Sequence, residues 1–170
     1  MRIAALLLVL LANAGCGYHV GRRVDLLPKT IKTIAIPAFG NATSRPRLPV
    51  LLTADVTREF IARTRYNIVS DANQADAVLS GAVISMNGYP TIIDPISGRA
   101  TAVQVVVTVQ LTLRERSTGA VLFSRPGAEF RQSYEIAVDP QAYFDENDTA
   151  MVRLSRDVAR SVVTTILESF

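Results

Sequence analysis

Cys16 is the residue with the most distinctive chemistry, because it is the sole cysteine of the 170-residue chain. A lone cysteine has no disulfide partner within its own chain, so its thiol is free, bridged to another molecule, or modified. Ala14-Gly15 places small residues directly before it, Ile3 to Ala12 form an unbroken apolar run, and Arg2 supplies a positive charge. That is the layout of an export signal with its cleavage site. The apolar run spans about ten residues, whereas a bilayer-spanning helix needs roughly 20. Modification is therefore the expected chemistry: in a bacterial lipobox, a small residue before Cys admits the peptidase once the thiol is diacylated. Asn13 departs from the Leu usual at that position of the motif.

Each buried methylene of an acyl chain stabilises membrane binding by ~0.8 kcal/mol, and one chain binds only marginally. Diacylglycerol and an N-acyl lipid on Cys16 are therefore expected, with no other cofactor. Gly17 follows the cysteine where an Asp often retains lipoproteins in the inner membrane, so the expected location is the outer membrane.

Other reactive residues are sparse. His19 is the only histidine and stands three residues from Cys16, leaving no His-based triad or multi-His metal site. Gly15-Cys-Gly17 lacks the preceding strand and following helix of a dinucleotide fingerprint, and no P-loop or paired-Cys pattern occurs. Asp145-Glu-Asn-Asp148 lacks the glycine and distal glutamate of a calcium loop, and helix capping explains those acids. A binding or structural protein is expected, without a catalytic or metal site.

Composition agrees. Removing 15 of 170 residues would leave 155, the size of one domain. Hydrophobic content of 49% with 19% charged residues fits a globular fold. The net charge of +3 rests on arginine, since Lys29 and Lys32 are the only lysines. It favours anionic neighbours such as phosphates or acidic membrane surfaces. Nucleic acid is not an expected partner, because the arginines are scattered and no aromatic-rich binding motif accompanies them.

The elements that must position any binding surface follow from periodicity. Residues 16–30 read as a tether, and 31–170 as a single α+β domain. Lys32 to Phe39 contains a first strand, with Pro37 marking an edge or a strand end. Gly40 to Pro49 reads as a loop, and a helix is predicted from Val50 to Thr64 on Leu52, Val56 and Phe60, with Leu51 and Ile61 beside them. Tyr66 to Val69 and Ala77 to Met86 are strand-like, with a turn-like Ser70 to Asp76 between them. Along Ala102 to Arg114, the odd-numbered residues Val103 to Leu113 form one apolar face. Gln104, Thr108, Gln110, Thr112 and Arg114 line the other, which is predicted to be wet or partner-facing, and only Val106 breaks the alternation. Ala120 to Tyr134 is the partner strand, with a bulge expected at Pro126-Gly127. Asp139-Pro140, or Asp145 with Asp148, starts a last helix whose buried stripe is Met151, Leu154, Val158, Val162 and Ile166, widened by Ala159, Val163 and Leu167.

On these residues the chain resembles the LPS-assembly lipoprotein LptE family. The likeness opens at Cys16-Gly-Tyr-His19 and runs through Leu27-Pro-Lys-Thr-Ile-Lys-Thr-Ile-Ala-Ile-Pro-Ala-Phe39. It continues through Leu52 to Val69 with the Arg63-Thr-Arg-Tyr66 helix exit, then Ala75-Asp-Ala-Val-Leu-Ser-Gly81, Gly98-Arg-Ala-Thr101 and Leu113-Arg-Glu-Arg-Ser-Thr-Gly-Ala-Val-Leu122. The resemblance implies an α+β two-layer sandwich in which a mixed or antiparallel four-stranded sheet carries two helices on one face. It also implies a non-enzymatic outer-membrane lipoprotein that plugs and helps assemble the LptD β-barrel for lipopolysaccharide transport. The partners would be an LptD-type barrel, the membrane through the lipid, and lipopolysaccharide as a further candidate ligand. The domain would lie on the periplasmic side or within the barrel lumen.

Two surfaces are candidates for that contact. One is the wet face of the long strand. The other is Asn87 to Arg99, read as a loop, whose Tyr89, Ile92, Ile93 and Ile96 are apolar where a loop is usually polar, and whose Arg99 suits a phosphate or a carboxylate. The alternative is a periplasmic lipoprotein subunit of another envelope or secretion-channel complex, since many small envelope domains share a strand-helix-strand opening followed by a meander.

Overall fold

The computed structural model describes residues 27–136 and 148–170, and the readings at Cys16, His19 and Asp139-Pro140 lie outside them. The chain enters with β1 (Thr33–Ala35) and β2 (Gly40–Asn41), then α1 (Arg47–Arg63) and β3 (Asn67–Val69). A 3-10 turn at Ala72–Gln74 leads to β4 (Ala77–Ile93), β5 (Ala100–Glu115), β6 (Val121–Glu135) and α2 (Asp148–Leu167). The sheet order is β3-β1-β4-β5-β6, with β2 also paired to β4. β1 pairs in parallel with β3 and β4, and β2 in parallel with β4, while β4, β5 and β6 form an antiparallel meander.

The α+β class, the mixed sheet and the two helices are as the sequence indicates. The sheet is wider than the four strands that the resemblance implies: β1 and β3, which fall in the strand-like runs Lys32 to Phe39 and Tyr66 to Val69, join the meander, and β2, only two residues long, lies within the stretch read as a loop and has no periodic signal of its own. β1 lies between β3 and β4, so Pro37 marks a strand end, not an edge. A central strand cannot spare the N–H that proline lacks, and β1 stops before it.

Helix α1 begins at Arg47, earlier than Val50. Pro49 does not prevent this, since its missing N–H falls in the first turn, where amides have no intrahelical partner. Leu48, Leu52, Val56 and Phe60 are buried at a spacing of four, and Ile61, expected beside them, is exposed. At the other end Thr64 donates its hydroxyl to the Phe60 carbonyl at 2.7 Å. The α2 stripe is buried as its 3.6-residue period predicts: Met151, Leu154, Val158, Ala159, Val162, Val163, Ile166 and Leu167 all face the core.

The helices are joined by polar contacts as well. Ser155 Oγ donates to Asp55 Oδ2 at 2.6 Å in a buried position, and the Asp55 carboxylate also receives Arg58 at 2.9 Å. Arg63 Nη1 donates to Thr164 Oγ1 at 2.8 Å. These pairs advance in the same direction along both helices, which therefore run roughly parallel across one face of the sheet.

Val103, Val105, Val107, Val109, Leu111 and Leu113 of β5 are all fully buried beneath this layer. Gly81 on β4 lies opposite Leu111, and a Cβ there would come 2.7 Å from the Phe39 ring. The glycine lets an aromatic ring lie flat against the strand. Phe39 is held in turn by its N–H, which donates to Thr53 Oγ1 of α1 at 3.0 Å. The β5–β6 register shifts between Val109 and Leu111, opposite Pro126-Gly127, where the bulge was expected.

The main departure is at Asn87 to Arg99. Strand β4 continues to Ile93, and only Asp94 to Arg99 turn the hairpin. Gly88 and Pro90 read as breakers, and Asn87 to Ile93 shows no alternation because every one of these residues is exposed. Pairing to β5, from Asn87 opposite Val106 to Ile93 opposite Ala100, makes the strand where local pattern does not.

Candidate functional site

The helices cover one face of the meander, and no described element covers the other. On β4 that open face carries Ser80, Ala82, Ser85, Asn87 and Tyr89, read from their register with β5. On β5 it carries Gln104, Val106, Thr108, Gln110, Thr112 and Arg114, the residues that sequence alternation singles out. On β6 it carries Ser124, Glu129, Arg131, Ser133 and Glu135. Gln110 and Arg114 are exposed, while Gln104, Thr108 and Thr112 are half-buried by neighbouring strands.

The face is polar without being strongly charged. Ser85 Oγ donates to Thr108 Oγ1 at 2.9 Å, and Arg131 pairs with Glu129. Ser80, Gly81, Ala82, Gln110 and Thr112 line a shallow hollow near its centre. Short hydroxyl and amide side chains on a rigid sheet make a flat hydrogen-bonding surface, able to meet a polar wall or a sugar as well as water.

Beyond the helices the β4–β5 hairpin projects as a second surface. Tyr89 is 53% exposed, Ile92 59%, Ile93 61% and Ile96 95%. No described strand pairs with the outer edge of β4 along this stretch, and Pro90 removes one amide donor from it, a common guard on free edges. The tip is ordered by Asp94: its carboxylate accepts from Ile96 N at 3.0 Å, Ser97 N at 3.3 Å and Ser97 Oγ at 2.5 Å. The Ser97 hydroxyl, with the Ile96 and Ser97 amides, holds the Asp94 carboxyl below the ordinary aspartate range. Gly98 turns the chain with φ of 67°, a conformation other residues rarely adopt. Ile96 is thus presented from a rigid turn.

The structure does not gather all the candidates into one site. Tyr89, Ile92, Ile93, Ile96 and Arg99 share the hairpin, whereas Arg114 lies 15 residues from Arg99 on β5, about 50 Å away at ~3.3 Å per residue. Arg114 Nη1 donates to the Gly119 carbonyl at 2.6 Å, which closes the β5–β6 turn. Gln104, Thr108, Gln110 and Thr112 lie between these ends. Sequence reasoning did not single out the β4 and β6 contributions to the open face. The alternation of Glu129, Arg131, Ser133 and Glu135 carried the signal on β6, while on β4 an extra residue at Ile84, where the register shifts between Val83 and Ser85, hides it.

The family model for LptE, described as lipopolysaccharide-assembly, matches residues 31–166. The chain belongs to the LptE family. This is a family of assembly lipoproteins and no enzyme family is indicated. No curated protein sequence is similar enough to count as a relative. Among solved structures, the PelC dodecamer from Paraburkholderia phytofirmans is similar over 84% of this chain and 91% of its own, at 18% identity and a TM-score of 0.51. Protein XCC0632 from Xanthomonas campestris is similar over 86% of this chain and 92% of its own, at 14% identity and a TM-score of 0.51. At such identities the likeness is one of fold. Among the described residues of this LptE-family chain, no helix is long and apolar enough to cross a membrane.

Proposed function

We propose that this LptE-type lipoprotein is held in the outer membrane by lipid on Cys16 and seats its α+β domain in an LptD-type β-barrel. There it fills the lumen and supports barrel assembly, and with it the passage of lipopolysaccharide to the cell surface. Residues 1–15 are the removed signal and 16–30 the tether. The observation that carries the reading is the open polar face of β4, β5 and β6, continuous with an exposed apolar hairpin. A large barrel has a polar interior that must be occupied if it is not to leak, and a sheet rich in Ser, Thr and Gln offers it hydrogen bonds. The hairpin gives the same body an apolar tip for a less polar part of the partner.

The test is affinity capture of the tagged full-length protein from detergent-solubilised outer membranes, with surface lipopolysaccharide followed after depletion. A large heat-modifiable barrel in the eluate and loss of surface lipopolysaccharide are expected. Capture of a homo-oligomeric ring without a barrel, with surface lipopolysaccharide unchanged, would overturn the proposal. That outcome would favour another envelope complex; the PelC dodecamer shows that this fold can assemble with itself.

A further inference from the structure

A second hollow lies at the other end of the molecule from the hairpin, where the chain enters the domain. It is lined by residues from the 27–33 segment and from the exit of α1, among them Leu27, Lys29, Ile31, Lys32, Arg65 and Tyr66. Leu27, Ile31 and Tyr66 are buried and form its floor, while Lys29, Lys32 and Arg65 are exposed at its rim. The floor is tied together by the Leu27 amide, which donates to Tyr66 Oη at 2.9 Å. Both lysines of the whole chain stand here, with an arginine brought from the exit of α1.

Among the described residues, no carboxylate lines the hollow. Two described acids near this end, Asp76 and Glu115, are occupied by other donors. Asp76 Oδ2 accepts from the Lys32 and Thr33 amides, both at 2.9 Å, and these bonds hold its carboxyl below the usual aspartate range, with Arg116 and Lys32 adding to the effect. Glu115 accepts from the Thr118 hydroxyl at 2.5 Å and more distantly from Thr30. The three rim cations form no ion pair with any described acid. Three cations around a concave site, with Thr33 and Asn67 as neutral donors, match the phosphate of an anionic headgroup.

We propose that this hollow docks the domain onto anionic phospholipid headgroups of the membrane that carries its anchor. The choice of lipid over free phosphate rests on chain length and on the envelope-lipoprotein reading above. Leu27 follows Cys16 by 11 residues, which span at most about 40 Å fully extended and about 20 Å as a flexible coil. An anchored domain therefore keeps this end within reach of the bilayer surface. The docked state precedes entry into the barrel: it holds the anchored domain at the membrane surface and leaves the hairpin, at the far end of the long strands, free of the headgroups.

The test uses the mature chain from residue 16 with Cys16→Ser, so that no acyl chain contributes, and sedimentation with vesicles of neutral phosphatidylcholine with or without phosphatidylglycerol. Binding to the anionic vesicles only is expected, and it falls as salt rises. Each cation removed in Lys29→Gln, Lys32→Gln or Arg65→Gln lowers partitioning about fivefold, and the triple variant about a hundredfold. The control triple Arg125→Gln, Arg156→Gln, Arg160→Gln removes equal charge elsewhere and retains most of the binding. Equal loss in both triples would show a diffuse charge effect and overturn the docking site. So would binding abolished by millimolar inorganic phosphate at constant ionic strength, which would make it a free-phosphate site. Matched thermal melts exclude unfolding as the cause. Because neither barrel nor lipid anchor is present, failure here is distinct from failure of the barrel proposal.

Discussion

Replacing the hairpin isoleucines separates binding from folding. In the variant Ile92→Thr, Ile93→Thr, Ile96→Ser, the two strand positions keep β-branched residues, so pairing with β5 is preserved. The three side chains are 59%, 61% and 95% exposed, so together they hold about two isoleucines' worth of surface still open to water. Burying one such side chain stabilises by about 1.5–3 kcal/mol, giving about 3–6 kcal/mol if a partner covers all of it. Ordering the side chains offsets part of this and leaves about 2–4 kcal/mol, or about 30- to 700-fold in affinity. The assay is capture of the barrel from solubilised outer membranes across a dilution series, beside urea unfolding of each purified protein. Barrel capture should fall by that factor while the free energy of unfolding stays within about 0.5 kcal/mol of the parent. Capture at the parental level would refute the assignment of the hairpin to the interface. Loss of capture together with a large loss of stability would show that the isoleucines belong to the fold.

Further expectations concern the fold and its pH response. Gly81→Ala drives a methyl into the Phe39 ring and costs about 1–3 kcal/mol in urea unfolding; combining it with Phe39→Leu recovers part of that loss, whereas strict additivity would mean the ring does not rest there. Ser155→Ala strips a buried hydrogen bond from Asp55 and lowers stability by about 1–3 kcal/mol, and a neutral result would disprove the helix-to-helix link. Leu154→Ala, fully buried on α2, costs about 2–5 kcal/mol by the same measurement. Asp76 has its pKa lowered by the Lys32 and Thr33 amides, so its contribution is present above the unfolded aspartate value of about 4 and disappears as pH falls through the lower folded value. Unfolding midpoints should therefore drop below about pH 4 in the parent and less steeply in Asp76→Asn; parallel curves would remove Asp76 from the acid response.

Local pattern carried most of the architecture. The alternation from Val103 to Leu113, interrupted only at Val106, states which face of β5 is buried, and the four-residue spacings of Leu52, Val56 and Phe60 and of Leu154, Val158 and Val162 state the same for the helices. Side-chain period is a property of the chain itself, so it is legible before any contact is known. The proposed lipidation of Cys16 rests on the same kind of signal, its neighbours in sequence.

Other features depend on partners distant in the chain. Asn87 to Ile93 has no strand pattern of its own, because both its faces are open, and it is a strand because β5 supplies hydrogen bonds along its length. Gly81 has no visible reason until Phe39, over forty residues away, lies across it. The cationic hollow needs Arg65 from the end of α1 to meet Lys29 and Lys32 beside β1, and it is likewise invisible to a local reading. Periodicity determined which side of each element is apolar; only tertiary pairing decided where elements end, which polar faces merge into one surface, and which charges stand together. Burial acts on each residue through the repeat of its own backbone, whereas a surface is assembled from strands and helices that the chain brings together only on folding.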